Sequence, residues 1–314
     1  MPPKKAKKSK KTNKKSSKGK GVPSDSAIKV TLAIPDHLLE FSEKVKSVLN
    51  LPKPHLSPSS IGTYQRCAYQ FMENYVNGNR GGSSVPMVEG TTHHSTFEFN
   101  NRYKRKTSKD RPVKKLIEHF CDNFHDNWKE IDNKKGFTER EVIIRGRKIQ
   151  TRYSQTFAPR FTPALIEQEF HLMIGPVKIL CYMDASGTLR PAFGKGPSKE
   201  VVCDYKVASR LKSEKEVKNS IQLTTYGVCD AFARKLKKPA DVGFCTCVKS
   251  HSPMIDWQHS TMNEHRIEWL IKTVLTVAYA ISVGAFPVCD PSENGLCSQK
   301  WCGCWDKCLG EKYK

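Results

Sequence analysis

This sequence of 314 residues contains no long apolar run. A membrane-spanning helix requires about 20 consecutive apolar residues, and no stretch of the chain approaches that length. The lysine-rich amino terminus also lacks the apolar segment of an export signal. We therefore expect an intracellular protein with no membrane partner, located in the cytoplasm or nucleoid, or in the nucleus if the host is a eukaryote.

Acidic residues are scarce relative to basic ones. The chain has 31 aspartates and glutamates against 53 lysines and arginines, which gives a formal charge of +22. Ten of the lysines lie in residues 1–20, so about +12 remains on the rest of the chain. This charge favours a polyanionic partner, because each phosphate that a cation neutralises releases counterions. Residues 1–24 have the composition of a disordered tail, which could act as a solvated arm, a DNA-contacting arm or a nuclear-targeting signal.

The hydrophobic periodicity of residues 25–314 predicts one α/β domain. Apolar residues at three- and four-residue steps predict helices at 36–49, 59–75, 88–99, 113–128, 213–237 and 267–281. Apolar runs bounded by turn residues predict strands at 166–174, 177–185, 201–207, 242–248 and 254–259. We expect a mixed central sheet flanked by helices, with a helical insertion at about 103–160 and a cysteine-rich segment at 285–314.

Two aspartates and a lysine fall on neighbouring predicted strands. Asp184 lies near the end of one strand, and Asp204 and Lys206 share a face of the next because strand side chains alternate. Two carboxylates would supply the oxygen ligands that Mg²⁺ or Mn²⁺ prefers, and the ammonium could orient an attacking water and offset charge on the phosphorus. The set predicts phosphodiester hydrolysis, although an Asp-x-Lys triplet alone is common on strand surfaces.

Two helical motifs add candidate side chains. His94 and Glu98 are one turn apart, so that His94, rather than the adjacent His93, could supply a nitrogen ligand to the same metal. Gln222 and Tyr226 are also four residues apart, on the helix after the Asp-x-Lys strand. Their amide and phenol could hold a nucleic-acid strand or a catalytic side chain. Each motif taken singly would usually be structural.

The order of five segments resembles the RecB/AddB-like branch of the PD-(D/E)XK nuclease superfamily. The segments are SPSSIGTYQRC (57–67), GTTHHSTFE (90–98), CYMD (181–184), DYK (204–206) and QLTTY (222–226). The resemblance covers roughly residues 57–308 and implies a restriction-endonuclease-like core. The sequence departs from the family at Cys181, where glycine is frequent, and at Ala68, where proline is usual.

The resemblance also implies which residues act. In that family a histidine, two strand acids and a lysine form the active site, and the main-chain carbonyl between the second acid and the lysine completes the metal shell. The matching residues are His94, Asp184, Asp204, Lys206 and Tyr205. Supporting positions are Gln222, Tyr226, Glu98 and Glu169, the last of which matches a recurrent acid on the preceding strand.

The cysteines suggest a second metal site. The chain is too large, and too poor in export signals, for its 12 cysteines to indicate a secreted disulfide framework. Four of them crowd into residues 297–308, with tryptophans between them, which favours metal binding. Zinc held by these four local cysteines is the conservative interpretation, although C-x4-C-x-C-x3-C is not a familiar zinc spacing.

The iron–sulfur relatives, of the AddB and CRISPR-associated exonuclease types, imply a different ligand set. They use one upstream cysteine and three near the carboxyl terminus. The matching residues are Cys67, Cys297, Cys302 and Cys308, which would hold a structural [4Fe–4S] cluster between the first helix of the resemblance and the last segment. Cys304 would then be surplus, and the cysteines at 121, 181, 203, 229, 245, 247 and 289 would be core or surface thiols.

We therefore predict a metal-dependent deoxyribonuclease, most simply an exonuclease that acts on single strands or DNA ends in recombination, repair or replication. The sequence has no Walker A loop, so any unwinding would come from a helicase or recombination protein. Two other interpretations remain open: a structure-specific endonuclease of the same fold, and a noncatalytic nucleic-acid-binding protein that contains zinc.

Overall fold

The computed structural model describes residues 26–308 apart from 193, 195, 293, 294 and 300. The basic tail predicted at residues 1–24 lies outside these residues, as do residues 309–314 of the cysteine-rich segment. Within the described part of the chain, no helix has the length and apolar character needed to cross a membrane.

Six strands form one mixed sheet, and their spatial order is their order along the chain. They are β1 (Ile28–Leu32), β2 (Phe161–Ile174), β3 (Val177–Leu189), β4 (Lys199–Ala208), β5 (Asp241–Val248) and β6 (Met254–Ser260). β1 runs parallel to β2, and β4 runs parallel to β5, whereas the other neighbours are antiparallel. The mixed sheet was predicted correctly, but β1 was not anticipated.

The helices are α1 (Leu39–Val48), α2 (Pro58–Arg66), α3 (Ala68–Phe71), α4 (Val85–Thr107), α5 (Val113–Trp128), α6 (Glu139–Thr156), α7 (Glu214–Lys218), α8 (Ile221–Ala233) and α9 (Glu264–Ser282). Ser57 caps α2, because its hydroxyl accepts the N–H of Ser60 at 3.1 Å, so this helix begins slightly before the predicted residue 59. The predicted helix at 59–75 is interrupted at Cys67, whose backbone is extended (φ −163°, ψ 108°). Cys67 therefore lies in a break between α2 and α3, not on a continuous helix.

Two apolar cores lie on opposite faces of the sheet. The first packs β2 and β5 against α9, through residues such as Phe170, Phe244 and Leu270. The second packs the other face against α4 and α6, through residues such as Phe97 and Tyr153. Each fully buried side chain of this size contributes roughly 1.5–3 kcal/mol relative to its exposure to water.

Successive side chains of β4 point alternately into these two cores. Val202 belongs to the first core, whereas Cys203 and Tyr205 belong to the second. Asp204 and Lys206 have the parity of Val202, so they share the face that α8 and α9 cover. The common face predicted for these two residues follows from this alternation.

Candidate active site

β3 and β4 separate at the position of Asp184. Their pairing runs from Leu189 of β3 only as far as Ala185, which lies opposite Cys203. The next residue of β3 is Asp184, whose Oδ2 accepts the backbone N–H of Tyr205 at 2.8 Å. A side-chain carboxylate thus takes the place of a main-chain carbonyl at the end of the ladder. The divergence of the strands leaves room between them for a site.

Asp204 and Lys206 form an ion pair at this divergence. Lys206 Nζ lies 2.5 Å from Asp204 Oδ2, and only 1% of the Asp204 side chain is exposed. Within the described residues, Asp204 Oδ1 is buried and has no hydrogen-bond partner. A buried carboxylate oxygen without a partner costs free energy, and a divalent cation would satisfy it.

His94 reaches the same site from α4. Its Nδ1 lies 3.1 Å from Asp184 Oδ2. His93 takes a different direction: its ring is buried, its Nδ1 lies 2.8 Å from Gln150 Nε2, and it stacks on Phe120 with 4.4 Å between ring centroids. The choice of His94 over His93, made on spacing, agrees with this geometry.

The charges of these side chains shift one another's pKa values. Burial raises the pKa of Asp204 to about 6, although the Lys206 ammonium acts in the opposite direction. Burial acts to lower the pKa of Lys206, but the carboxylates of Asp204 and Asp184 outweigh it and raise that pKa. Burial also acts to lower the pKa of His94, but the Asp184 carboxylate outweighs it, so that the pKa of His94 is raised. The cations are thus stabilised in their charged forms by buried carboxylates.

Gln222 and Tyr226 join this set through hydrogen bonds. Lys206 Nζ donates to Gln222 Oε1 at 3.4 Å, and Gln222 Nε2 donates to the Tyr226 hydroxyl at 2.9 Å. Gln222 lies in the first turn of α8, whose start is fixed by the Ser220 hydroxyl accepting the N–H of Leu223 at 3.2 Å. Gln222 thus contacts the lysine directly, and Tyr226 contacts Gln222.

The oxygen and nitrogen donors of the cleft suit a hard divalent cation. Within residues 26–308, with the gaps given above, no three histidine, cysteine, aspartate or glutamate side chains are already arranged around a metal position. Asp184 and Asp204 nevertheless both carry carboxylates where β3 and β4 diverge, and Asp204 Oδ1 is buried and, among the described residues, has no hydrogen-bond partner. Such oxygens are the ligands that Mg²⁺ and Mn²⁺ prefer.

Comparison of the sequence with known protein families gives a match to the PD-(D/E)XK nuclease superfamily over residues 55–308. The chain belongs to this superfamily. A protein from Eubacterium rectale described as "Putative exonuclease" is similar in structure, with 14% sequence identity, a TM-score of 0.45, and coverage of 82% of this chain and 90% of that one. No curated protein matches the chain. Nucleases of this superfamily use divalent metal ions, which fits the paired acids of the cleft.

The nuclease has one acid at the cleft that the sequence analysis did not select. Glu167 of β2 stands between the pairs Ile166–Ala185 and Gln168–Met183, next to Asp184. Its φ of +48° interrupts the regular strand. Burial and the charges of Asp184 and Glu98 raise the pKa of Glu167 to about 8. The alternation of side chains along a strand does not predict a left-handed backbone conformation at Glu167. The change in side-chain direction that this conformation causes could therefore not be predicted from the sequence.

Glu98 and Glu169 have different surroundings. Glu98 pairs with Arg102, with 2.6 Å between its Oε1 and the guanidinium Nε. Together with His94, Glu167 and Lys206, it lines a cavity of about 510 Å³. Glu169, the strand acid selected from the resemblance, pairs instead with His171 at 2.7 Å and does not line this cavity.

Six cysteines of the nuclease line a second cavity, of about 190 Å³. They are Cys67, Cys289, Cys297, Cys302, Cys304 and Cys308. Four of them are the predicted cluster ligands, whereas Cys304 was considered surplus and Cys289 a core or surface thiol. Burial and the Cys289 thiol raise the pKa of Cys297 to about 12. The break at Cys67 brings the upstream cysteine to the carboxyl-terminal group, where the Tyr69 hydroxyl also donates to Lys307 O at 2.7 Å.

Proposed function

We propose that this nuclease is a Mg²⁺- or Mn²⁺-dependent deoxyribonuclease with Asp184, Asp204, Lys206 and His94 as its catalytic residues. The observation that carries the proposal is the buried Asp204 carboxylate, which has Lys206 on one oxygen and, among the described residues, no hydrogen-bond partner on the other. A cation there would lower the pKa of water and stabilise negative charge on the phosphate.

The ligand set follows from the atoms at the cleft. Asp184 and Asp204 would contribute carboxylate oxygens, His94 a ring nitrogen and Tyr205 its main-chain carbonyl. Asp184 Oδ2 already accepts the Tyr205 N–H and lies near His94 Nδ1, so its other oxygen is the one available to a cation. This arrangement orients the acids before any ligand binds.

Lys206 would act on the phosphate. Its raised pKa keeps the ammonium charged at neutral pH, and Gln222 restricts its position. A charged group aimed at the phosphate oxygens offsets the negative charge that develops during attack. Tyr226 would act indirectly, because its hydroxyl accepts a hydrogen bond from Gln222 and so restricts the position of that side chain.

Glu167 is our additional candidate ligand on β2. It lies beside Asp184, lines the cavity with His94 and Lys206, and is stabilised in its neutral form by burial and neighbouring acids. A cation would reverse that balance by attracting the ionised carboxylate. The resemblance selected Glu169 on the same strand only as a supporting acid, and in this proposal Glu167 is the acid of β2 that contacts the cation.

The six-cysteine cavity is the candidate site for a [4Fe–4S] cluster. Thiolates are the ligands of such clusters, and Cys67, Cys297, Cys302 and Cys308 all line this cavity. We propose a structural role, because phosphodiester hydrolysis requires no electron transfer. Such a cluster would tie the α2–α3 break to the carboxyl-terminal segment, and its thiolates favour a reducing, intracellular setting.

We propose single-stranded DNA with a terminus as the substrate, with unwinding supplied by a partner helicase or recombination protein. The experiment compares linear and covalently closed circular single strands of one sequence, in Mn²⁺. We expect degradation of the linear strand alone, because an exonuclease needs an end. Cleavage of the circle would favour the structure-specific endonuclease. Zinc content without cleavage of either strand would favour the noncatalytic binding protein.

A further inference from the structure

A groove of about 320 Å³ lies beside the cleft. It is lined by the start of α2, the outer part of β3 and the loop that leads to α4, including Ser57, Ser60, Leu180, Tyr182 and Arg80. Leu56 also lines it and pairs with β3: its N–H donates to Lys178 O and its carbonyl accepts the N–H of Leu180, both at 2.9 Å. The groove therefore lies along the part of β3 that precedes Asp184.

Tyr182 presents an aromatic ring on this strand. Its side chain is 48% exposed, although it is a large, mostly apolar group. It precedes Asp184 by two residues, so the Cα atoms of the two residues are roughly 7 Å apart along the strand. An exposed ring at that distance is about one nucleotide from an atom held at the cleft.

Tyr182 is paired with an acid on the neighbouring strand. Glu169 lies directly opposite it in the register of β2 and β3. Burial and the Glu169 carboxylate raise the pKa of Tyr182. Glu169 is itself fixed by His171, whose Nε2 lies 2.7 Å from its Oε1. Glu169 is thus a positioning residue for this ring. This assigns a role to an acid that does not line the cavity of His94, Glu167 and Lys206.

Cations line the same groove. The Arg80 guanidinium lies 4.2 Å from the centroid of the Tyr75 ring, and its Nε donates to Asn74 O at 3.2 Å. Lys53 and His55 also line the groove, and the residues that line it include no acid. An exposed ring flanked by cations is complementary to a strand of stacked bases and phosphates.

We propose that this groove is a subsite for single-stranded nucleic acid, in which Tyr182 stacks on an unpaired base beside the cleft while Arg80 and Lys53 bind the flanking phosphates. The inference rests on the proposed function and deepens it, since it explains a preference for single strands. In a duplex the faces of the bases are covered by their neighbours, so the ring would have no base to stack on except at an end.

The test is fluorescence anisotropy in EDTA with a labelled thymidine oligonucleotide and with an abasic oligonucleotide of equal length. The variants are Tyr182→Ala, Tyr182→Phe, which keeps the ring, and Phe232→Ala, a matched control that removes an exposed ring of α8 outside the groove. We expect Tyr182→Ala to weaken binding of the thymidine strand on the order of 5- to 100-fold, and Tyr182→Phe to stay within about twofold of the natural protein. Binding of the abasic strand should not change in any variant.

Several results would overturn the proposal. They are unchanged binding of the thymidine strand by Tyr182→Ala, an equal loss for the thymidine and abasic strands, an equal loss in Phe232→Ala, and failure of the natural protein to bind single strands. Because binding is measured without a divalent cation, it does not depend on cleavage. A protein that binds as expected but never cleaves with Mn²⁺ would contradict the proposed function and leave the groove assignment standing.

Discussion

Asp184 Oδ2 accepts the backbone N–H of Tyr205 at 2.8 Å, at the point where β3 and β4 part. The bond fixes the position of one acid relative to the main chain that carries the other, because Asp204 is the preceding residue of β4. Two carboxylates are thereby held near each other by a rigid sheet rather than by a loop. This coupling between strand divergence and acid placement is the structural basis of the proposed site.

Substitutions of Lys206 and of Asp204 should have different effects on the free energy of unfolding. Lys206→Met leaves the buried Asp204 carboxylate without its cation, which we expect to lower the free energy of unfolding by about 1–3 kcal/mol. Asp204→Asn removes the buried charge and leaves a lysine that still reaches solvent, so it should be neutral or stabilising. Urea denaturation in EDTA measures both. The reverse order of stability would show that the pair is not electrostatically coupled in this way.

Glu167 and Glu169 provide a matched pair for metal binding. Glu167→Gln should weaken Mn²⁺ binding roughly 10- to 100-fold, because it removes an acid beside Asp184. Glu169→Gln changes the same residue type two positions away, at a site bonded to His171, and should leave the affinity unchanged. Isothermal titration calorimetry with Mn²⁺ compares them. A loss of Mn²⁺ affinity in Glu169→Gln and not in Glu167→Gln would show that Glu169, the acid selected from the resemblance, is the one that contacts the cation.

Most of the helices and strands and the coarse fold follow from local patterns. The helix α6 was not predicted individually, and the helix predicted at 213–237 is two helices, α7 and α8. Strand alternation places Asp204 and Lys206 on one face, and helical spacing selects His94. The backbone irregularities do not follow from such patterns. The positive φ of Glu167 is disfavoured for its residue type, and the extended break at Cys67 interrupts a continuous helical pattern, so neither is signalled by the local sequence. Both irregularities lie at proposed functional sites, where local rules fail most often.

β1 and the groove were missed for a different reason. β1 is five residues long, and its register with β2 depends on a segment more than 130 residues away. The exposure of Tyr182 likewise depends on which distant elements pack on that part of β3, which a short window of sequence does not encode. Cys289 joined the cysteine cavity because of chain folding after α9, not because of any spacing motif.

Asp230 should make stability depend on pH. Burial raises its pKa to about 6, although Arg234 acts to lower it. The folded state therefore favours the protonated form, so the stability linked to this group is present below the ordinary aspartate pKa and is lost as the pH rises through about 6. Asp230→Asn removes this loss, and its stability relative to the natural protein should increase by about 1–2 kcal/mol between pH 5 and pH 8. A constant difference across that range would contradict the assignment.

Two helical glycines should respond oppositely to alanine. A Cβ on Gly146 of α6 would lie 1.9 Å from Phe120 Cε1, so Gly146→Ala should destabilise the fold by about 1–3 kcal/mol. Gly62 of α2 has no atom within 4 Å of an added Cβ, so Gly62→Ala should stabilise it by roughly 0.5–1 kcal/mol. Denaturant midpoints of the two variants measure this. Equal midpoints would mean that α5 and α6 are not packed so closely.

The cysteine cavity should retain iron in protein purified without oxygen. We expect iron and acid-labile sulfide in the natural protein, and their loss in Cys67→Ser, because Cys67 is the proposed ligand that would join the α2–α3 break to the carboxyl-terminal segment. Cys121→Ser, on α5 and outside the cavity, is the control and should keep both. Zinc in place of iron, retained in Cys67→Ser, would assign the site to the local cysteines instead.

The proposed activity requires that Asp184 and Asp204 bind the divalent cation that promotes hydrolysis of DNA. The most direct measurement is Mn²⁺-dependent cleavage of end-labelled single strands by the natural protein, Asp204→Asn and Asp256→Asn, the last a control that alters an exposed acid of β6. We predict that Asp204→Asn loses on the order of a hundredfold or more in rate, while Asp256→Asn cleaves normally. Cleavage by purified Asp204→Asn at the natural rate would contradict the account.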